Sequence, residues 1–140
     1  MSKKQAVDML SSVPLFEGLS KRELDTIYRA AKETEFEPGH DIVEQGATGV
    51  GFHLILGGKA DVLVGGRKRA SLGPGDYFGE MSLLDGGPRS ATVRTASPVR
   101  TLALTSWAFL PLLDKMPSIA RKMLVELSRR LRGLEKSLQH

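Results

Sequence analysis

The sequence predicts a mainly β domain with flanking helices, an antiparallel barrel or jelly roll. Helical periodicity occupies the two ends of the chain, and short β-prone runs separated by glycine and proline turns fill the middle. The turns recur at roughly the 8 to 12 residue spacing of compact all-β domains. We expect a single domain over residues 1–140, with N-terminal helices in 1–32, strands in 33–105 and C-terminal helices in 106–140.

The composition excludes several classes of function. No cysteine is present, which rules out disulfides, a thiolate nucleophile and a cysteine metal site, and fits a reducing cytoplasm. No segment has the ~18 uninterrupted apolar residues of a membrane helix, so we expect no membrane insertion. The formal net charge is +4, but six of the twenty basic residues fall in the last twenty positions. The basic excess therefore belongs partly to one helix.

The N-terminal region begins with helices. Ser20 followed by Glu23 is a capping box, in which each side chain accepts a hydrogen bond from the backbone N–H of the other residue. Leu19 and Leu24 have the spacing of a hydrophobic staple around this helix start, and apolar residues then recur with the helical period. We also expect an earlier short helix over roughly residues 3–11.

The middle region carries turn signals that separate the strands. Gly65-Gly66 is a two-residue turn between ADVLV and RKRASL, because glycine accepts the positive φ angles of a tight hairpin. Apolar residues alternate along ADVLV, as they do in a strand with one inward face.

The C-terminal region returns to the helical period. We expect Ser106 to cap a short helix and Pro117 to lie in the first turn of a long last helix. Five leucines of the last helix are spaced 3, 4, 3 and 4 residues apart and form a heptad seam: Leu124, Leu127, Leu131, Leu134 and Leu138. This leucine seam either packs on the barrel as a lid or pairs with a second copy of the chain.

The stretch GEMSLLDGGPRSAT, residues 79–92, places one acid and one arginine nine positions apart on flexible backbone. If residues 80–84 form a helical turn, its first N–H groups can donate to an anion, and Arg89 adds a planar fork of donors matched to phosphate oxygens. Glu80 needs a donor instead, and a sugar hydroxyl beside a phosphate supplies one. The alternative is a solvated ion pair of Glu80 and Arg89, with Met81 and the leucines in the core and ordinary turn glycines.

A longer run, FGEMSLLDGGPRSATV, resembles the phosphate-binding cassette of the cyclic nucleotide-binding domains, the family of the regulatory subunits of cAMP-dependent protein kinase and of the catabolite activator proteins. Its surroundings match in the same order, with VPLFEGLS, EFEPGHDIVEQG, GFHLILGGKADVL, ASLGPGDYFGE and the final helix. The resemblance covers roughly residues 10–138. It implies an antiparallel β-roll, jelly-roll-like and related to the double-stranded β-helix, between N-terminal helices and a long C-terminal helix.

The resemblance also implies roles for single residues. Glu80 would bond the ribose 2′-OH and Arg89 would pair with the cyclic phosphate. The remaining polar and backbone contacts would come from Gly79, Met81, Ser82, Ser90 and Ala91. Serine rather than threonine follows the arginine, which favours cAMP and leaves cGMP open. The family commonly covers the base with a side chain of the last helix, and the candidates there are Arg129, Arg130, Leu134 and Glu135.

The implied function is that of a non-catalytic sensor or regulatory module whose C-terminal helix moves when a cyclic nucleotide binds. We expect no enzymatic activity, no metal and no cofactor apart from the ligand. Its partners would be the nucleotide, an effector protein of unknown identity and, in one alternative, a second copy held through the last helix. Specific DNA binding is not expected, because the sequence stops where a helix-turn-helix module would begin.

Three other functions are alternatives: a degenerate domain that keeps the fold for another interaction, the remnant of a DNA-binding regulator, and a cupin-like enzyme. The histidines His40, His53 and His140 have no His-x-His spacing for a metal, and no nucleophile elbow is present. His53 is expected to be a half-exposed structural residue of a strand. The presence of both Glu80 and Arg89 argues against a degenerate site.

Overall fold

The computed structural model describes residues 1–48 and 51–138, with side chains described up to residue 135. The N-terminal helices are α1 (Lys3–Ser11), a 3-10 turn (Pro14–Phe16) and α2 (Lys21–Ala30). The strands are β1 (Lys32–Phe36), β2 (Asp41–Val43), β3 (Gly51–Gly57), β4 (Ala60–Val64), β5 (Arg67–Leu72), β6 (Tyr77–Phe78), β7 (Thr92–Thr95) and β8 (Val99–Thr105). The remaining helices are α3 (Ser82–Asp85), between β6 and β7, followed by α4 (Ser106–Lys115) and α5 (Pro117–Leu138).

The strands form two antiparallel sheets of four strands each, which pack as a roll. The first sheet has the order β1-β8-β3-β6 and the second the order β2-β7-β4-β5. Strands β4 and β5 are joined by the predicted hairpin turn, in which Gly65 and Gly66 have φ angles of +59° and +79°. The predicted fold class, mainly β with N-terminal helices and a long C-terminal helix, is confirmed.

Helix α2 begins at the predicted capping box. The Ser20 N–H donates to Glu23 Oε1 at 2.8 Å, and the Glu23 N–H donates to Ser20 Oγ at 3.2 Å. Helix α1 confirms the predicted short N-terminal helix and starts with a second capping box, between Ser2 and Gln5. Local sequence alone therefore sets both helix starts.

Two apolar clusters stabilise the fold. The larger core lies between the helices and the first sheet, where Phe16 contacts Phe52 and Phe109 at centroid distances of 5.7 and 6.2 Å. The smaller core lies inside the roll and consists of Ile55, Ala60, Val93 and Val99. Strand β3 contributes to both cores, because successive side chains of a strand point to opposite faces.

The structure corrects the predicted start of α4. Thr105 is the N-cap, and its hydroxyl oxygen accepts a hydrogen bond from the Ala108 N–H at 3.3 Å. Ser106 is the first helical residue, and its hydroxyl donates to the Ser82 carbonyl oxygen at 3.0 Å. Thr105 and Ser106 both carry a hydroxyl that can cap a helix. Thr105 takes the N-cap position because β8 ends there and α4 begins at the next residue. This hydrogen bond between Ser106 and Ser82 joins α4 to α3.

The leucine seam does not pack on the roll as a lid. Three of its residues are 64%, 61% and 62% exposed: Leu124, Leu131 and Leu134. Helix α5 instead buries Ile119 and Met123 and packs Leu127 partly against the larger core. These three residues are spaced four apart, so on a helix of period 3.6 they form a stripe that runs beside the heptad seam. Leu127 belongs to both the stripe and the seam. The side chain of Leu138 lies outside the described residues.

Candidate ligand-binding site

The stretch 79–92 folds as a loop around the short helix α3. Gly79 turns the chain out of β6 with a φ of +81°, and α3 ends at a left-handed glycine with a φ of +65°. The helical turn predicted over residues 80–84 is present but begins two residues later, at Ser82, and Met81 is its N-cap. Leu83 is fully buried in the larger core and fixes α3 in place.

Glycine at position 79 is required by close packing. A Cβ at Gly79 would lie 2.5 Å from the Gly51 carbonyl oxygen and would overlap the Arg89 guanidinium. The positive φ of Gly79 is a second reason, since other residues rarely adopt it. A side chain at this position is incompatible with the observed position of Arg89.

Arg89 is a half-buried cation whose described partner is a backbone group. Its Nη2 donates a hydrogen bond to the Gly51 carbonyl oxygen. Its own backbone is fixed to the segment after β2, with the Arg89 N–H 2.9 Å from the Ala47 carbonyl oxygen. Burial lowers the pKa of the guanidinium below its usual value. Within residues 1–48 and 51–138 it forms no ion pair with a carboxylate, so its charge is open to neutralisation by an external anion.

Glu80 pairs with the C-terminal helix rather than with Arg89. Arg130 of α5 donates from Nη1 to Glu80 Oε1 at 3.2 Å and from Nη2 to Oε2 at 3.4 Å. The Glu80 side chain is 16% exposed and that of Arg130 31%. Burial lowers the pKa of Arg130, but the hydrogen bonds and charge of Glu80 outweigh this and raise it overall. The alternative interpretation, an ion pair between Glu80 and Arg89, is therefore wrong.

A cavity of about 360 Å³ opens beside these groups. Its polar and backbone lining includes all seven predicted contact residues: Gly79, Glu80, Met81, Ser82, Arg89, Ser90 and Ala91. Its apolar lining comes from both sheets and the loop: Val43, Val62, Leu72, Tyr77, Phe78, Pro88 and Val93. A few polar groups converging on an apolar cavity of this volume suit a small polar ligand.

The four candidates for covering the base differ in position. Arg130 pairs with Glu80, which lines the cavity. Arg129 is 71% exposed and lies 3.7 Å from Glu126 on its own helix. Leu134 and Glu135 are exposed and lie about one turn further along α5 than Arg130. The structure thus brings one of the four to the site.

Two features of the site were missed by the sequence interpretation. The pairing of Arg130 with Glu80 left a weak signal, two opposite charges in regions expected to meet. The Gly51 carbonyl that holds Arg89 left none, because every residue carries a carbonyl. Both contacts join segments far apart in the chain, so local pattern cannot specify them.

The described residues contain no group of three or more histidine, aspartate or glutamate side chains that could hold a metal ion. Among the helices of the described segments, none combines the length and apolarity needed to cross a membrane.

Comparison with known families decides the kind of domain. A family model described as cyclic nucleotide-binding domain matches residues 33–116, which include every residue that lines the cavity. The chain belongs to the cyclic nucleotide-binding domain family. The resemblance noted in the sequence is thereby confirmed, and the family is one of ligand-binding rather than catalytic domains.

Two curated relatives of this cyclic nucleotide-binding domain carry different ligands in their names. The chain is 37% identical over 130 residues to the Cyclic AMP receptor protein of Thermus thermophilus, covering 89% of this chain and 60% of that protein. It is 43% identical over 84 residues to a cGMP-dependent protein kinase of Toxoplasma gondii, covering 60% of this chain and 8% of that protein. The chain spans less than two thirds of the length of either relative.

A solved structure shows the same domain at nearly full length. The N-terminal domain of a transcriptional regulator from Streptomyces coelicolor A3(2) superposes on the cyclic nucleotide-binding domain with a TM-score of 0.87 and 28% sequence identity. The match covers 95% of this chain and 96% of that one. The helices at both ends therefore belong to the shared domain as well as the roll.

Proposed function

We propose that this domain binds a cyclic nucleotide, with cAMP favoured over cGMP, and acts as a non-catalytic sensor. The observation that carries the proposal is Arg89, a half-buried guanidinium without a carboxylate partner in the described residues, beside a cavity of about 360 Å³. The single negative charge of a cyclic phosphate would neutralise it with charge-assisted hydrogen bonds. Ser82, Ser90 and Ala91 line the same cavity and supply further polar contacts.

Glu80 fits the ribose in this proposal. Its carboxylate already accepts two hydrogen bonds from Arg130, and a sugar 2′-OH can also donate a hydrogen bond to it. A bound ribose therefore alters the hold of Glu80 on α5, either by sharing the carboxylate with Arg130 or by displacing it. Ligand binding and the position of α5 are then linked, which makes the helix the output of the sensor.

The preference for cAMP rests on Ser90, which follows Arg89 where a threonine hydroxyl would favour guanine. Arg130 is the proposed base-covering residue, because it is the candidate that pairs with a residue lining the cavity, Glu80. The effector protein and a cytoplasmic location remain predictions from the sequence.

Calorimetric titration with cAMP and cGMP tests the ligand assignment. We expect the native chain to bind cAMP more tightly than cGMP, and Arg89→Ala to lose about 1.5 to 3 kcal/mol, roughly 10- to 150-fold in Kd, with the charge-assisted bonds. The matched control is Arg94→Ala, since Arg94 is an exposed arginine of β7 that pairs with Asp41 at 2.7 Å outside this cavity. Equal affinity of native chain and Arg89→Ala contradicts the phosphate assignment, and absence of binding by the native chain favours a degenerate domain.

The exposed seam leucines favour a homodimer through α5. A seam of about three turns is marginal as an isolated coiled coil, so we expect a weak, concentration-dependent dimer. Sedimentation equilibrium should show dissociation for Leu131→Glu and none for Val125→Glu, because Val125 is exposed on another face of the same helix. A native chain that stays monomeric at millimolar concentration contradicts the dimer.

A further inference from the structure

His53 faces the interior of the roll and is held there by three neighbours. It lies on the same face of β3 as Ile55, a residue of the smaller core. Its ring stacks on Phe78 with a centroid distance of 5.1 Å and an interplanar angle of 16°. Its Nδ1 lies 3.0 Å from the Thr101 hydroxyl oxygen. The His53 and Phe36 rings form an edge-to-face pair with a centroid distance of 6.0 Å. The ring therefore has a fixed position.

The same ring and Arg89 are linked through two neighbouring segments and a shared cavity. Gly51, two residues before His53 on β3, accepts the hydrogen bond of Arg89. Phe78, on which the ring stacks, directly precedes Gly79, where close packing against Arg89 excludes a side chain. Arg89 lines both the ligand cavity and a second cavity of about 390 Å³. His53 lines the second cavity but not the ligand cavity.

The charge of Arg89 acts on this ring. Burial and, next, the positive charge of Arg89 lower the pKa of His53 to about 4. The ring is therefore neutral at pH 7. A protonated ring would add a second positive charge to the cavity that Arg89 also lines.

The other groups around the ring carry little competing charge. Strands β6, β8 and β1 contribute the uncharged Phe78, Thr101 and Phe36, and His40 lies beyond Phe36 at 5.2 Å from it. Asp41 of β2 and Glu44 just after it also line the second cavity, and Asp41 is engaged by Arg94. Neutralising Arg89 is thus the change in charge to which the His53 ring is most directly exposed.

We propose that His53 is a positioning residue for Arg89: its neutral ring holds Phe78, and with it the adjacent Gly79 against which the guanidinium packs, and it accepts a proton more readily once an anion is bound at Arg89. The second half of this inference rests on the proposed anion site. An anion offsets the positive charge that disfavours protonation, so binding and proton uptake are coupled. Affinity should rise as the pH falls through the raised pKa of the bound state, and level off below the pKa of about 4 of the free state.

A titration without ligand tests the geometry. Ring signals of His53 followed by NMR in the native chain and in Arg89→Gln should show a midpoint higher by about half a pKa unit or more in the variant, because a nearby positive charge is gone. The His53→Phe spectrum identifies the signal by its loss, and the His40 signal is the internal control. An unchanged midpoint overturns the inference whether or not the chain binds a nucleotide.

Calorimetry with cAMP at pH 7.5 and pH 5 tests the coupling in three proteins. His53→Ala should bind several-fold more weakly at pH 7.5, and His53→Phe should recover most of that affinity, because it keeps the ring and its stack on Phe78. The native chain should gain more affinity at pH 5 than His53→Phe, in which every acid effect other than protonation of His53 is still present. Thermal melting of each variant confirms that it is folded.

The outcomes separate the two proposals. Binding of cAMP with the same pH dependence in the native chain and in His53→Phe overturns the role of His53 and leaves the proposed function intact. Absence of binding by the native chain overturns the proposed function, and the titration of Arg89→Gln then decides whether the His53 ring senses the charge of the guanidinium as inferred.

Discussion

Helix α5 is attached to the domain at two carboxylates that differ in accessibility. Near its start, Glu23 accepts hydrogen bonds from the Ser118 hydroxyl and from Lys122 Nζ, the latter at 2.6 Å, and its side chain is 4% exposed. Eight residues beyond Lys122, Arg130 pairs with Glu80, which also lines the ligand cavity. The carboxylate of the first attachment is almost fully buried and lies outside the ligand cavity, whereas that of the second lines the candidate site.

The difference assigns separate roles to the two halves of the helix. Burial opposes the ionisation of Glu23, but hydrogen bonds from Lys122, Ser118 and Ser20 outweigh it and hold its pKa at about 2. Ile119 and Met123 are buried beside this anchor. Beyond Met123 the helix is held mainly by partial packing of Leu127 and by the Glu80 pair. A ligand that engages Glu80 can therefore move the second half without releasing the first.

Removing the anchor should have the largest effect on folding. Glu23→Ala deletes the pair with Lys122 and one side of the α2 capping box, and we expect a loss of about 2 to 4 kcal/mol in unfolding free energy. The loss stays below the full cost of an orphaned buried charge, because Lys122 is 36% exposed and can turn to water. Urea unfolding measures it. Asp25→Asn is the control, since Asp25 lies on the same helix as Glu23 and forms surface ion pairs with Lys3 of α1 and Arg29 of α2.

Acid should weaken the same anchor over a defined pH range. The folded-state pKa of Glu23, about 2, lies below the ordinary value of 4.5, so its contribution is complete above pH 4.5 and is lost as the pH falls towards 2. The shift corresponds to about 3 kcal/mol at neutral pH. Glu23→Gln cannot titrate, so stability plotted against pH should fall less steeply for this variant than for the native chain. Parallel curves contradict the anchor.

The two attachments also differ in how far the sequence predicts them. The capping box places Glu23 correctly at the start of α2, because its two partners lie three residues apart. The contact with Lys122, 99 residues along the chain, depends on tertiary packing and has no local pattern.

The site shows the same division. The cassette stretch predicts the seven residues that meet at the cavity, because they belong to one continuous loop. The sequence does not predict which charge Glu80 meets or which carbonyl holds Arg89. The sequence leaves open whether the leucine seam is a lid or a pairing surface, because leucines at heptad spacing look alike whether they face the core or solvent. The structure excludes the lid, since α5 turns Ile119 and Met123 inward instead.

Breaking the second attachment should have the smallest effect on folding and a localised effect on mobility. The Arg130–Glu80 pair is partly solvated, so Arg130→Ala should cost about 0.5 to 1 kcal/mol in unfolding free energy. Hydrogen exchange should accelerate in residues 126–138 and stay unchanged in 118–123, where Glu23 still holds the helix. Arg129→Ala is the matched control, because Arg129 is adjacent and points to solvent. Acceleration along the whole helix would mean that the two attachments are coupled, and a ligand acting on Glu80 would then loosen the anchor as well.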